Sequence, residues 1–269
     1  MKKPHVVAII QARLGSTRLP GKTMMDLAGK TMLEHVLFRM KHSKMLDRVV
    51  VATTDSESDK VIIEAAGKMG VDWFAGSEED VLDRFYQAAK KFGADVVVRL
   101  TADCPLNDPA VVDKAVKLFL ESDADYVSNT VEHTYPNGVD VEVFSMQSLE
   151  RAWNEGKLIS EREHVTTHIW KHPEKFKIIQ FTNDRDLSDY RWTVDEPQDA
   201  ELIRKIFAEL GSDKVFSMDE VIALFEREPE LKKLNDGIRR NEGYSKCLRE
   251  DRKVGGEKSE WKPTVVFRL

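Results

Sequence analysis

The chain has 269 residues, 41 Lys+Arg against 47 Asp+Glu for a formal net charge of -6, and 41% hydrophobic residues. That suffices for an α/β domain with a substantial core, and the acidic balance argues against a dedicated nucleic-acid binder, which carries a strong basic excess. Cys104 and Cys247 lie far apart with no C-x-x-C and no metal-ligand spacing, which argues against a disulfide framework and against a thiolate zinc site.

Val6-Val7-Ala8-Ile9-Ile10 is apolar at every position, as a buried parallel strand is. The run is too short for a secretion signal, and no stretch approaches the roughly 18 apolar residues of a membrane span. A soluble, cytoplasmic protein with no membrane partner is expected. A loop through Gly15 and Gly21 follows, then a helix with apolar positions Met32, Leu33, Val36, Leu37 and Met40. The alternation repeats as strand 48–52, helix 58–69, strand 72–74, a helix across Val81, Leu82, Phe85 and Ala88, strand 95–100, helix 110–120 and strand 126–128.

Past residue 130 the pattern changes. Strands 139–144 and 176–181 flank a helix over 161–170, and the stretch from about 130 to 190 reads as an inserted arm. Strand character returns at Trp192-Thr193-Val194, and Pro197 opens a helix over 197–210. The expected organisation is one domain over 1–230 and a polar helical tail over 231–269, with five consecutive charges at 249–253. This order predicts a three-layer α/β fold of Rossmann-like type with a mostly parallel sheet. Ligands then bind outside the carboxyl ends of the strands, where the loops after Ile10 and Leu100 lie.

The first loop carries two glycines, two hydroxyls and three cations between Gln11 and Lys22, a composition suited to a polyphosphate. A Walker A loop is excluded, because five residues separate Gly15 from Gly21 where four are needed. Pro20 also removes an N–H from the cradle. Asp103 and Asp195 each follow a strand at the active edge and suit either Mg²⁺ or a turn cap. Asp199 reads as a helix-start residue.

Asp80 and Arg84 have the spacing of an i, i+4 ion pair. Arg99, charged within an apolar strand, needs an anion or a carboxylate. Asp140 and Glu142 share one strand face, as an acceptor or metal site or as an exposed acidic edge. His164, His168 and His172 would stack on one helix face, but without the H-E-x-x-H order zinc is not expected there. Cys104 has no paired histidine and reads as an apolar filler.

Gln11-Ala12-Arg13-Leu14-Gly15-Ser16-Thr17-Arg18-Leu19-Pro20-Gly21-Lys22 resembles the nucleotide-binding loop of cytidylyltransferases that make CMP-activated sugar acids, the CMP-3-deoxy-manno-octulosonate and CMP-acylneuraminate synthetases. The wider pattern resembles the spore coat polysaccharide biosynthesis protein F branch, through blocks at 76–84, 99–105, 135–143, 162–166 and 191–195. The resemblance implies a nucleotide-diphospho-sugar transferase-like fold and Mg²⁺-dependent transfer of CMP from CTP to a hydroxyl acceptor. Pyrophosphate leaves, and the product serves surface-polysaccharide synthesis.

It further implies that Arg13, Arg18, Lys22 and Asp103 act in catalysis. Ala12, Gly15, Ser16, Ser77, Asp80 and Arg84 would join Arg13, Lys22 and Asp103 around the nucleotide. Asp103 and Asp195 would hold the metal. Arg99, Asp140, Glu142, Arg162, Glu163 and His164 are the candidates for the acceptor side, and the arm is expected to build a homodimer. A glycosyltransferase using a nucleotide-sugar, with Asp140-Val141-Glu142 as its best feature, and a non-catalytic nucleotide-binding protein are the competing readings. The acceptor stays open, and no residue excludes uracil in place of cytosine.

Overall fold

Strand β1 (Val6–Gln11) alternates its apolar side chains between two cores, with Val6, Ala8 and Ile10 in one and Val7 and Ile9 in the other. This is why no polar position interrupts the run: helices cover both faces of the sheet. The computed structural model describes residues 3–238 together with Arg240, Tyr244, Cys247, Leu248 and Asp251. Residues 241–243 of the expected tail and, apart from Asp251, its charged run at 249–253 lie outside the described residues.

The expected series is observed as α1 (Met32–Met40), β2 (Arg48–Thr54), α2 (Lys60–Lys68), β3 (Asp72–Gly76), α3 (Val81–Lys91), β4 (Val96–Thr101), α4 (Pro109–Leu120) and β5 (Tyr126–Ser128). Local chemistry fixes the helix starts. Thr31 and Glu34 form a reciprocal capping box on α1, Asp80 caps α3, and Asp108 caps α4 ahead of Pro109. Beyond β5 come β6 (Glu142–Ser145), α5 (Met146–Glu155), α6 (Ile159–Glu163), α7 (Thr167–Trp170), β7 (Ile178–Gln180), α8 (Pro197–Leu210) and α9 (Met218–Arg227). A 3-10 helix, Pro229–Leu234, opens the segment expected as a tail.

The seven strands form one sheet in the order β3-β2-β1-β4-β6-β5-β7. β6 is antiparallel to both β4 and β5, and the other pairings are parallel. The stretch expected as an inserted arm thus contributes β6 and β7 to the central sheet. Among the described residues, no helix is long and apolar enough to cross a membrane.

Two local expectations are corrected. The helix over 161–170 is broken into α6 and α7, because Val165 adopts a left-handed backbone with φ 55 and turns its side chain fully into the core. A β-branched residue in that region costs roughly 1–3 kcal/mol, which the burial of Val165 offsets. The three histidines therefore do not form one stripe. Residues 192–194 are not a sheet strand either. Their neighbour Arg191 makes an isolated bridge to Asn137, and a Cβ on Gly138 would lie 2.6 Å from Thr193 N, so a glycine loop packs where a partner strand would run.

One core group predicts a pH dependence. His35 stacks on Phe207 at 3.7 Å and donates from Nε2 to Leu27 O at 2.5 Å, while its buried Nδ1 has no partner among the described residues. Burial, with Lys30 and Arg39 nearby, lowers its pKa below 6.5. The unfolded chain then takes up this proton at a higher pH than the folded one. Stability is full above about pH 6.5 and falls as pH drops from there toward the folded pKa. Thermal midpoints recorded from pH 7.5 to 5 are expected to fall more steeply for the native chain than for His35→Gln. Parallel curves would refute this.

Candidate active site

The chain leaves β1 for β2 on one side and returns with β4 on the other, so the carboxyl ends of β1 and β4 flank the topological switch point. Ligands of open α/β sheets bind there. Three loops meet at this edge: residues 12–22 after β1, 102–108 after β4, and 191–196 before α8.

The first loop is pinned from beneath. Buried Asp59 accepts from Leu14 N at 2.9 Å through Oδ1 and from the Thr53 and Thr54 hydroxyls at 3.3 and 2.6 Å through Oδ2. Thr23 Oγ1 donates to Arg13 O at 2.8 Å, and Ser16 Oγ accepts from Leu19 N at 3.2 Å. Gly21 turns the chain with φ 71, a conformation that favours glycine. The cations are thereby sorted: the Lys22 side chain is only 11% exposed, whereas those of Arg13 and Arg18 are 44% and 36% exposed and open to a polyanion.

Lys22 Nζ donates to Asp103 Oδ2, Asp195 Oδ1 and Val194 O, each at 2.8 Å. These three contacts use all three ammonium protons. Burial alone would lower its pKa, but Asp103 and Asp195 outweigh it and raise the value above 10.5. Burial likewise opposes the charge on Asp103, yet Lys22 and the Thr101 hydroxyl, 2.6 Å from Oδ1, hold that carboxyl at about 2. Arg18 Nη2 lies 2.8 Å from Asp195 Oδ1.

Behind Asp195 lies a buried ion pair to which sequence reasoning assigned no role at the site. Arg191 Nη2 donates to Asp195 Oδ2 at 3.0 Å, while Arg191 Nε and Nη2 reach the two oxygens of fully buried Asp199 at 2.9 and 3.0 Å. Asp199 also accepts from Asp195 N, Glu196 N and Asn235 Nδ2. It is a helix-start residue, as expected, and also the anchor of the Asp195 loop.

Ser77, Asp80 and Arg84 come together at the start of α3. Asp80 N donates to Ser77 Oγ at 3.1 Å, and Arg84 Nη1 to Ser77 O at 2.6 Å. Burial, with Arg13 nearby, lowers the Arg84 pKa to about 10. Asp80 forms its ion pair with Arg162 rather than with Arg84, its two oxygens taking Arg162 Nε at 3.0 and 2.9 Å. Arg162, expected on the acceptor side, thus ties that side to the nucleotide block. Arg13 Nη1 lies 3.7 Å from Glu78 Oε1, and a Cβ on Gly15 would meet the same oxygen at 3.3 Å. Ala12 is buried, its N donating to Ala52 O at 3.1 Å.

The expected acidic pair on one strand face is not formed. β6 begins at Glu142, so Asp140 lies in the preceding loop, where it accepts from Gly138 N at 3.2 Å and pairs with Arg240. Glu142 is buried and accepts from Arg99, Tyr126 OH and Thr166 Oγ1. Arg99 therefore has its carboxylate, and its Nη2 also donates to Gln11 Oε1 at 3.0 Å. Burial, reinforced by Arg99 and Lys171 against the opposing pull of Glu163 and Glu142, pushes His164 down to about 4, so it is neutral at neutral pH. Cys104 is buried, and burial with Asp103 and Asp140 raises its thiol pKa well above 9.0, consistent with a filler rather than a nucleophile.

Fold and edge chemistry together define a nucleotidyltransferase-type α/β protein. The chain belongs to the cytidylyltransferase family, which it matches over residues 7–235. It is 34% identical over 241 residues to the spore coat polysaccharide biosynthesis protein SpsF of Bacillus subtilis, covering 84% of this chain and 95% of that protein. Its structure is similar to that of a cytidylyltransferase from Leptospira borgpetersenii, with a TM-score of 0.83 and 36% identity over 88% of this chain and 100% of that one. The fold is also shared with a CMP:2-keto-3-deoxy-manno-octonic acid synthetase complexed with CTP, with a TM-score of 0.59 and 20% identity over 76% of this chain and 99% of that one.

Proposed function

We propose that this protein transfers CMP from CTP to a sugar acid or another small hydroxyl or phosphorylated acceptor, with Mg²⁺ as cofactor, in the supply of surface-polysaccharide precursors. The observation that carries the reading is the convergence of Asp103 and Asp195 on one ammonium at 2.8 Å, beneath a loop that presents Arg13 and Arg18 to solvent. The acceptor hydroxyl releases its proton to solvent as its oxygen bonds to the α-phosphorus, the bond from that phosphorus to the oxygen bridging to the β-phosphorus breaks, and pyrophosphate leaves. Exposed Arg13 and Arg18 bind and neutralise the triphosphate, and Lys22 holds the carboxylates of Asp103 and Asp195 in position beside it.

The donor set fits Mg²⁺. Two hard carboxylates already share a cation position, and each has its second oxygen fixed, by Thr101 on Asp103 and by Arg191 on Asp195. When bound, the ion supplies neutralising charge to the phosphate oxygens. The names of SpsF and of the synthetase complexed with CTP support a saccharide-type acceptor and CTP as donor. Assembly as a homodimer through residues of the 130–190 stretch belongs to the same proposal. The divergence of Asp140 and Glu142 weighs against a glycosyltransferase.

The test is a thermal-shift panel of CTP, UTP, ATP, GTP and nucleotide-sugars, each with and without Mg²⁺. CTP at about 100 times its dissociation constant adds roughly 2.7 kcal/mol, which moves the midpoint by several degrees. A CTP-selective shift strengthened by Mg²⁺, followed by pyrophosphate release with sugar acids, is the expected result. A shift with a nucleotide-sugar and none with any triphosphate would overturn the proposal.

A further inference from the structure

Local spacing excludes a zinc motif, yet the fold brings Cys247 onto Glu163-His164 from 84 positions away. Cys247 Sγ lies 3.4 Å from Glu163 Oε2, and the thiol, the carboxylate and one His164 ring nitrogen all fall within 4.8 Å of one another. His164 Nε2 is buried and has no hydrogen-bond partner among the described residues. An unpaired buried nitrogen costs roughly 1–3 kcal/mol, so this imidazole is positioned to gain from a ligand.

Cys247 does not arrive alone. Arg240 pairs with Asp140, the Tyr244 ring meets His164 at 4.9 Å and Trp170 at 5.8 Å, and Asp251 accepts from Ser160 N at 3.1 Å and Ser160 Oγ at 2.6 Å. All four tail residues lie beyond residue 235, where the match to the family model ends. They meet the side of the molecule to which the acceptor candidates Asp140, Glu163 and His164 belong.

We propose that Glu163, His164 and Cys247 form a binding site for a borderline divalent cation of the zinc type, which clasps the C-terminal segment onto the acceptor side of the protein. The donors are one sulfur, one nitrogen and one oxygen, a set that favours Zn²⁺ over the all-oxygen preference of Mg²⁺. On binding, the Cys247 thiol releases its proton to solvent. The resulting thiolate and the Glu163 carboxylate balance the two positive charges, the imidazole stays neutral, and a fourth position is open to water. The site is separate from Asp103 and Asp195, and the proposal does not rest on CTP chemistry.

A second cluster, Glu161, His168 and His172, has similar spacing, but its donors are committed. His168 Nδ1 lies 3.0 Å from Glu161 Oε1, His168 Nε2 lies 3.4 Å from Glu155 Oε2, and His172 Nδ1 donates to His168 O at 2.7 Å.

The experiment is a Co²⁺ titration of the full chain after treatment with a chelator. The expected result is a near-ultraviolet thiolate-to-cobalt charge-transfer band that saturates near one equivalent, resists excess Mg²⁺ and is displaced by Zn²⁺. The band is lost in Cys247→Ser and kept in Cys104→Ser. Glu163→Gln keeps the thiol and is expected to weaken Co²⁺ binding by at least about 10-fold, which guards against loss of folding in a single variant. No band in the native chain, or a band unchanged in Cys247→Ser, overturns the proposal. Neither outcome alters the CTP-dependent shift, so the two readings fail separately.

Discussion

Lys22→Met is expected to lower the thermal midpoint of the free protein, to lower turnover sharply, and to make the protein's stability depend on Mg²⁺. The ammonium is the shared partner of Asp103 and Asp195, and its side chain is largely buried. Methionine keeps most of the stem but leaves two carboxylates facing one another without that cation. Breaking a buried pair from one side costs about 3–5 kcal/mol. A divalent cation returns charge to the same place, so Mg²⁺ is expected to recover part of the midpoint in the variant and to change the native chain less. Asp103 and Asp195 also lose the group that positions them, and a misplacement of about 1 Å at a reacting centre lowers turnover roughly 10²-fold. Melting curves in chelator and in Mg²⁺, with pyrophosphate release measured alongside, give both readouts. A Lys22→Met chain indifferent to Mg²⁺ would refute Asp103 and Asp195 as a cation site, and unchanged turnover would refute the role of Lys22.

The same lysine shows how far the sequence reaches. Its loop was legible because Gly15, Ser16 and the cations follow a strand apolar on both faces, and strand ends at a sheet edge are where ligands bind. The strands and helices from Val6 to Ser128 were legible for a related reason: each buries a periodic apolar set close to its neighbours in the chain. Helix α8 was read with its bounds, since Pro197 marks its start. What the sequence concealed depends on distant pairing. β6 enters the sheet between β4 and β5 in reverse direction, and no period-2 pattern encodes that position. The break at Val165 arises from tertiary packing that overrides helix periodicity. Asp80 had a local partner at i+4 and took Arg162 instead, 82 positions away. Asp59, which holds the loop in place, carried no signal at all, because a single aspartate before a helix looks like a cap. Arg191 carried a faint one: a cation beside Trp192 in a stretch that is otherwise apolar.

Asp199→Ala is expected to be nearly as damaging as Lys22→Met although Asp199 touches none of the reacting groups. Its side chain is fully buried and accepts from Arg191, Asn235 and the backbone N–H groups of Asp195 and Glu196. Alanine leaves the Arg191 guanidinium buried with its main anion gone, at a cost of about 3–5 kcal/mol. It also frees the loop that aims Asp195 at Lys22. Arg191→Met creates the mirror-image fault, an unpaired Asp199. The double replacement Arg191→Met with Asp199→Ala leaves neither charge stranded, so its loss of stability should be well short of the sum of the two single losses. Urea midpoints for the native chain, both single variants and the double variant complete the cycle. Turnover should stay low in the double variant while stability recovers, since Asp195 Oδ2 still lacks the guanidinium that fixes its other oxygen on Lys22. Strict additivity would mean that Arg191 and Asp199 stabilise the fold independently, and a double variant with native turnover would mean that Asp195 needs no such support.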